Sequence, residues 1–355
     1  MKKRVAILCG GRSSEHEISC ISAGGVLGAI DRELFEPIVI GITKSGIWVL
    51  IPEDYDLSIQ GSDLPSVPES APRVVADSTG LSVDGRSLNI DIVFPLLHGP
   101  YGEDGTIQGL LEIMDIAYVG SGVLASAVAM DKSFAKPIFQ SHGMQVAAGF
   151  TATKKQWESN PREITDQASQ LGYPIFVKPA RGGSSKGTSK VKHAKDFPAA
   201  LIAAHLFDPK AIIEQAIDGD EIECAVLEID GIPQASIVGK IVIDSRFEFY
   251  DFEAKYLDNT TTIKLPAPIS DLISDEIRKL AVVAFTSLGC SGLARVDFFL
   301  TKSGEIIINE INTMPGFTAT SVFPKMWQAT GIGYKQVITE LLKTAQLRTN
   351  GVLGN

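Results

Sequence analysis

Apolar residues follow two rhythms along this chain. Short unbroken runs at residues 5–9, 37–42, 48–51 and 92–97 are rich in Val, Ile, Leu and Phe, as in strands covered on both faces. Between them, residues 19–30 and 106–114 repeat apolar positions at helical intervals. This alternation predicts an open α/β sheet over the first third, with Gly10-Gly11 at the carboxyl end of its first strand, where such sheets bind ligands. Residues 52–72, rich in Pro, Ser and Asp, read as a long surface excursion. Beyond residue 130, strands are expected at 175–178 and 212–215. A helix around 275–288 and a strand pair at 293–300 and 305–311 follow. The pattern divides into three units, 1–129, 130–216 and 217–355, without an internal repeat.

Composition narrows the classes. A chain of 355 residues exceeds one simple core, and 45% hydrophobic with 21% charged residues fits a globular protein. A net charge of −10 argues against a nucleic-acid partner, though a local Lys and Arg cluster can still hold phosphate. Cys9, Cys20, Cys224 and Cys290 are scattered without a Cys-x-x-Cys pair, so free thiols in a reducing compartment are expected. The first apolar run stops at Gly10-Gly11, too early for an export signal. The charge-free stretch 116–130 is broken by Gly and Ser and is too short to span a bilayer. A cytoplasmic protein without a membrane association is expected.

The strand pair near the end carries the clearest chemistry. Arg295 and Asp297 are two apart and share a face, as do Glu310 and Asn312 on the next strand. The turn Thr301-Lys302-Ser303-Gly304 folds the strands back antiparallel and brings Asp297 near Glu310. Two such carboxylates suit Mg²⁺, with substrate phosphates completing the shell, or else form a solvated polar face. The apolar character of both strands favours the first reading, because buried unpaired carboxylates are costly.

A second cluster, Lys178-Pro179-Ala180-Arg181-Gly182-Gly183-Ser184-Ser185-Lys186-Gly187, follows an apolar strand. Glycines let backbone N–H groups point at phosphate, and Lys178 adds a point charge, but the run is not a Walker A loop. Lys132 and Lys255 could serve the same phosphates; singly they also fit surface lysines. Glu214 and Glu221 suit an adenine site and a ribose, or the surface. In the first unit, the runs from Gly10 to Glu17 and from His98 to Gly105 each follow a strand. Each alone is also an ordinary turn, with Asp104 suited to cap a helix.

Together and in order, these runs resemble the D-alanine–D-alanine ligases of the ATP-grasp superfamily. The match spans nearly the whole chain: GGRSSEHEIS from Gly10, FPLLHGPYGEDGTIQG from Phe94, MDK at Met130, VKPARGGSSKG from Val177, DFEAKYLDN from Asp251, GLARVDFFL from Gly292 and NEINTMPGFT from Asn309. The resemblance implies a three-domain α/β ATP-grasp architecture. It also implies ATP-dependent joining of two D-alanines through D-alanyl phosphate, for peptidoglycan precursors.

Site roles follow from the resemblance. Glu15, linked through Ser184 and Tyr256, would hold the first D-alanine's ammonium, with His98 beside it. Lys132 and Lys178 would meet the α- and β-phosphates and Lys255 the γ-phosphate. Glu214 with the backbone at Gln215 and Ile217 would read adenine, and Glu221 the ribose. Asp297, Glu310 and Asn312 would hold two Mg²⁺ or Mn²⁺ ions, with Asn309 also at the nucleotide. Arg295 and the Gly316 amide would bind the oxyanion, and Ser321 the second substrate's carboxylate. A homodimer is the family expectation. Lys186 and Ala216 depart from the family's usual residues and bear on nucleotide affinity.

Other readings are an ATP-grasp ligase for different acids and amines, a non-catalytic nucleotide-binding regulator, and a depsipeptide ligase using D-lactate. The intact Glu253-Ala254-Lys255-Tyr256 favours the dipeptide. A nicotinamide dehydrogenase lacks its Gly-x-Gly-x-x-Gly spacing here.

Overall fold

The computed structural model describes residues 2–59, 63–183, 185–242 and 262–348. The chain opens with strands β1 (Lys3–Gly10), β2 (Phe35–Ile42) and β3 (Trp48–Ile51). A small antiparallel sheet of β4 (Val75–Asp77), β5 (Gly80–Val83) and β6 (Arg86–Ser87) follows, then β7 (Ile92–Pro95) and β8 (Ala117–Tyr118). The larger sheet has the order β3-β2-β1-β7-β8, parallel except for β3, which runs back along β2. Alternation along β1 sends Val5, Ile7 and Cys9 into one core and Ala6 and Leu8 into another, so both faces are covered.

The helix His16–Ala29 starts three residues earlier than its apolar spacing suggests. His16 is buried; its Nδ1 meets the Gly11 carbonyl at 2.7 Å and its Nε2 accepts the Val67 N–H at 3.1 Å. The excursion at 52–72 is therefore not wholly a surface feature. Leu57 and Val67 turn back into the core, which isolated apolar residues in a polar stretch do not announce.

The second sheet comprises β10 (Gly149–Thr153), β11 (Ile175–Pro179), β12 (Ser189–Val191) and β13 (Lys210–Gln215), after the short β9 (Gln145–Val146). It is antiparallel in the order β10-β13-β11-β12. Helices Pro161–Leu171 and Phe197–His205 cover one face, packing Ile164 and Phe197 on Val177 and Ile213.

The third sheet is built from β14 (Gly219–Ile229), β15 (Ile232–Val242), β16 (Thr262–Lys264), β17 (Leu293–Thr301) and β18 (Ile306–Asn312), with β9 at its edge in the order β16-β15-β14-β17-β18-β9. On β17, Val296, Phe298 and Leu300 point into a core under the helix Asp271–Ser287, leaving Arg295 and Asp297 on the opposite face. That helix begins at Asp271, four residues before the apolar rhythm shows, with Ser270 as its cap, its hydroxyl accepting the Ile273 N–H.

The last helices, Val322–Thr330 and Tyr334–Leu347, return to the first sheet. Trp327, Ile338, Leu341 and Leu342 share one core with Val5, Ile7 and Phe94. Residues 322–347 are thereby packed against the first sheet, which brings loops more than 200 residues apart together.

Candidate active site

Three neighbouring strands carry a row of carboxylates. In register, Glu223 of β14 stands opposite Asp297 of β17, and Asp297 opposite Glu310 of β18. Arg295 likewise faces Asn312. Like charges in such a row repel, and the site answers with cations. Arg295 holds Asp297 with two bonds of 2.7 Å and reaches Glu223 at 3.2 Å; Lys132 meets Glu310 at 2.9 Å; Asn312 donates to Asp297 at 3.1 Å. A bulge after Asp297 shifts the β17–β18 register there and ends the strict alternation beside the site.

A second cluster faces the row across a cavity of about 500 Å³. Glu214 is buried between Lys178, at 2.9 Å, and Lys136. Burial alone opposes charge on Glu214, but the two lysines outweigh it and pull its carboxyl down to about 2. Burial would also lower Lys178, yet Glu214 raises it. Lys136 is lowered by burial, and Lys178 and Lys132 add to that as like charges. Lys136 and Lys178 thus stand on Glu214 and Lys132 on Glu310, three ammonium groups on one cavity wall that a phosphate could also meet.

The Gly-rich loop lies over this cavity. Its base is pinned by Arg181, which grips the buried Asp208 at 2.7 and 3.0 Å, and Lys132 donates to the Gly182 carbonyl at 2.8 Å. Lys132, Lys178, Glu214, Gln215, Ile217 and Glu221 all line the cavity. Asn309, Glu310, Asp297 and Ala216 close its remaining sides.

Loops of the first sheet close the other end. Glu15 is buried beside Gly99, where a Cβ would come within 2.7 Å of its Oε2, and Gly99 also holds φ +73°. Ser13 donates to the His98 carbonyl at 2.8 Å and ties the two loops together. His98 is buried and its pKa is lowered by burial. Asp104 does not cap by the expected bond to a helix interior; it accepts from Tyr101 and Thr106 N–H groups, while Gly105 takes the cap position. Gly316 lies against Ser321, whose Oγ accepts the Thr318 N–H at 3.0 Å at the start of the helix Val322–Thr330.

Lys132, Lys178, Glu214, Asp297, Glu310 and Asn312 are therefore brought around two adjoining clefts, and Glu15 lies near Gly183 on their wall, with His98 buried on the neighbouring loop. Ser184, Lys255 and Tyr256 lie outside the described residues. Three site residues escaped the sequence reading. Lys136 is one helical turn beyond Lys132, and Glu223 shares a strand face with Glu221, so their spacing carried a signal. Glu103 gave none: its burial comes from a partner far along the chain. Among the described residues no group of three or more His, Cys, Asp or Glu side chains is placed to hold a metal ion.

Known proteins match this arrangement closely. The model of the D-ala D-ala ligase N-terminus matches residues 4–121, and that of the C-terminus residues 138–343. The chain belongs to the D-alanine–D-alanine ligase family. D-alanine–D-alanine ligases of Arthrobacter sp. (strain FB24) and Mycolicibacterium smegmatis are 49% and 47% identical to it, each over 99% of this chain and 96% and 97% of the relative. Among solved structures, VanG D-Ala:D-Ser ligase from Enterococcus faecalis superposes with TM-score 0.84 at 36% identity, over 97% of this chain and all of that one. The D-alanine-D-alanine ligase from Coxiella burnetii gives 0.83 at 34%, over 98% and 94%. The α/β ATP-grasp fold expected from the motifs is borne out, and membership in this ligase family carries ATP use. Among the described residues no helix is long and apolar enough to cross a membrane.

Proposed function

We propose that this chain joins two D-alanine molecules into D-alanyl-D-alanine, using ATP, for a peptidoglycan precursor in the cytoplasm. One observation carries the reading: a single cavity sets Lys132, Lys136 and Lys178 against the Asp297–Glu310 pair, with Glu15 near the Gly183 loop that lines it. Nucleotide and acid can meet there.

A carboxylate is a poor acyl donor because its leaving group would be oxide. Transfer of the γ-phosphoryl to a carboxylate oxygen of the first D-alanine gives ADP and D-alanyl phosphate. The second amine, having lost a proton, attacks the acyl carbon, and phosphate departs with the bridging oxygen. Lys132 and Lys178 neutralise phosphate charge during transfer, and Glu15 holds the first ammonium. Arg295 and the Gly316 amide stabilise the tetrahedral oxyanion. Ser321, at a helix N-terminus, receives the second carboxylate. Lys255 at the γ-phosphate, and Ser184 with Tyr256 beside Glu15, complete the reading on sequence alone.

The donor set fits divalent cations: two opposed carboxylates, Asp297 and Glu310, and the Asn312 amide, all hard oxygen ligands on one sheet face. Mg²⁺ or Mn²⁺, two ions in the family pattern, would supply charge neutralisation at the phosphates when bound there. In this reading residues 1–129 furnish the first substrate's site, 130–216 cover the nucleotide, and 217–355 hold cations and oxyanion, in a homodimer.

The test is ADP release and dipeptide formation with Mg²⁺ and D-alanine, with L-alanine, D-lactate and D-serine as alternatives. Dipeptide with stoichiometric ADP from D-alanine is expected. ADP release indifferent to D-alanine, or preferential use of D-serine or D-lactate, overturns the proposal.

A further inference from the structure

We propose that Glu103, together with His98, is a positioning residue that clamps the peptide groups at Met314 and so sets the place of the Gly316 amide. The inference deepens the functional reading above, because it rests on Gly316 serving the oxyanion.

Both polar groups of Met314 are held by one loop of the first sheet. Its N–H donates to Glu103 Oε1 at 3.2 Å, while Oε2 of the same carboxyl accepts the Gly99 N–H at 2.6 Å. Its carbonyl meets His98 Nδ1 at 3.0 Å. A carbonyl only accepts, so Nδ1 carries the proton and Nε2 accepts from Ser22, 3.2 Å away. Both imidazole nitrogens are thus committed to protein partners. His98 holds; it does not relay protons to a substrate.

The other side of Gly316 is equally fixed. Phe317 is fully buried, 5.5 Å from the Phe94 ring of the first sheet and 5.6 Å from Tyr334, whose hydroxyl donates to the Phe317 carbonyl at 2.7 Å. Gly316 therefore sits between two anchors, a polar clamp at Met314 and an aromatic one at Phe317. An N–H that must meet a developing oxyanion needs such constraint, since displacement of an ångström costs about a hundredfold in rate. Glu103 reaches this role from the wall of the small cleft that it shares with Lys132, Gly183 and Glu310.

The variant Glu103→Gln keeps one acceptor and loses a tie. Dipeptide kcat should fall about ten- to a hundredfold, with the ATP KM within about twofold of the parent. ADP formed per dipeptide should rise above one, because D-alanyl phosphate left waiting is lost to water. Ser22→Ala, a small change behind His98, should show the same signature at about threefold, and it decides the matter if Glu103→Gln does not fold. The double variant Glu103→Gln/His98→Gln should fall less than the product of the singles, because both act on one peptide. The clamp is overturned by a kcat within twofold of the parent with unit stoichiometry, by an ATP KM that rises as much as kcat falls, or by multiplying effects. A parent enzyme that makes no dipeptide defeats the functional reading; a working parent indistinguishable from its variants defeats only the clamp.

Discussion

The first sheet and the large antiparallel sheet present their site residues in opposite ways. In the first, Glu15, His98 and Glu103 sit in loops beyond strand ends, on turns that need Gly99 at φ +73° and Gly105 at φ +89°. His98 and Glu103 are held there by hydrogen bonds that include the distant Met314. In the large sheet, Glu223, Asp297 and Glu310 sit on strands, and their spacing is fixed by a ladder that the apolar core beneath enforces. A slip of one residue would turn every one of those charges into the core, so register there is strongly specified. Parallel strands thus offer adaptable loops for recognising a small substrate, and antiparallel strands a rigid face for charge.

The comparison breaks most easily at the rigid face. Asp297→Asn and Glu310→Gln should each lower kcat about a thousandfold at saturating Mg²⁺, and by similar factors, since the register makes them one pair. A loss below tenfold in either, measured by coupled ADP release, would show that the row serves the fold more than the chemistry.

Next in size is the lysine cluster. Lys136→Met leaves Glu214 with Lys178 alone and should cost about 1–3 kcal/mol at neutral pH, read by thermal unfolding. The sign with pH is definite. A carboxyl held near 2 gives stability that is present above its ordinary value near 4.5 and lost as pH falls towards about 2. The gap between parent and variant should therefore narrow on acidification through that window. A gap unchanged at pH 3 would place the effect in packing.

The loop region gives the opposite slope. Burial, reinforced by Glu15, pushes Glu103 up to about 8. The folded state then binds its proton more tightly than the unfolded chain, and stability declines between about pH 4.5 and 8 by up to about 1.4 kcal/mol per unit. Glu103→Gln should lose that decline and gain on the parent as pH rises. Parallel pH profiles for the two would show that Glu103 ionises normally.

Sequence alone determined the long apolar strands such as β1, β2, β17 and β18, the order of motifs and the face shared by Arg295 with Asp297, because alternation of period two assigns side chains to faces before any fold is known. It also carried the family resemblance, and with it most of the residues that line the cavity. Lys136 and Glu223 were legible by spacing. What only the tertiary structure decided is which distant groups meet: Met314 with His98 and Glu103, Val67 with His16, and the last helices with the first sheet. Local pattern fixes direction and exposure, but a loop's burial and a carboxyl's proton affinity depend on packing against partners that the chain's own neighbours do not encode.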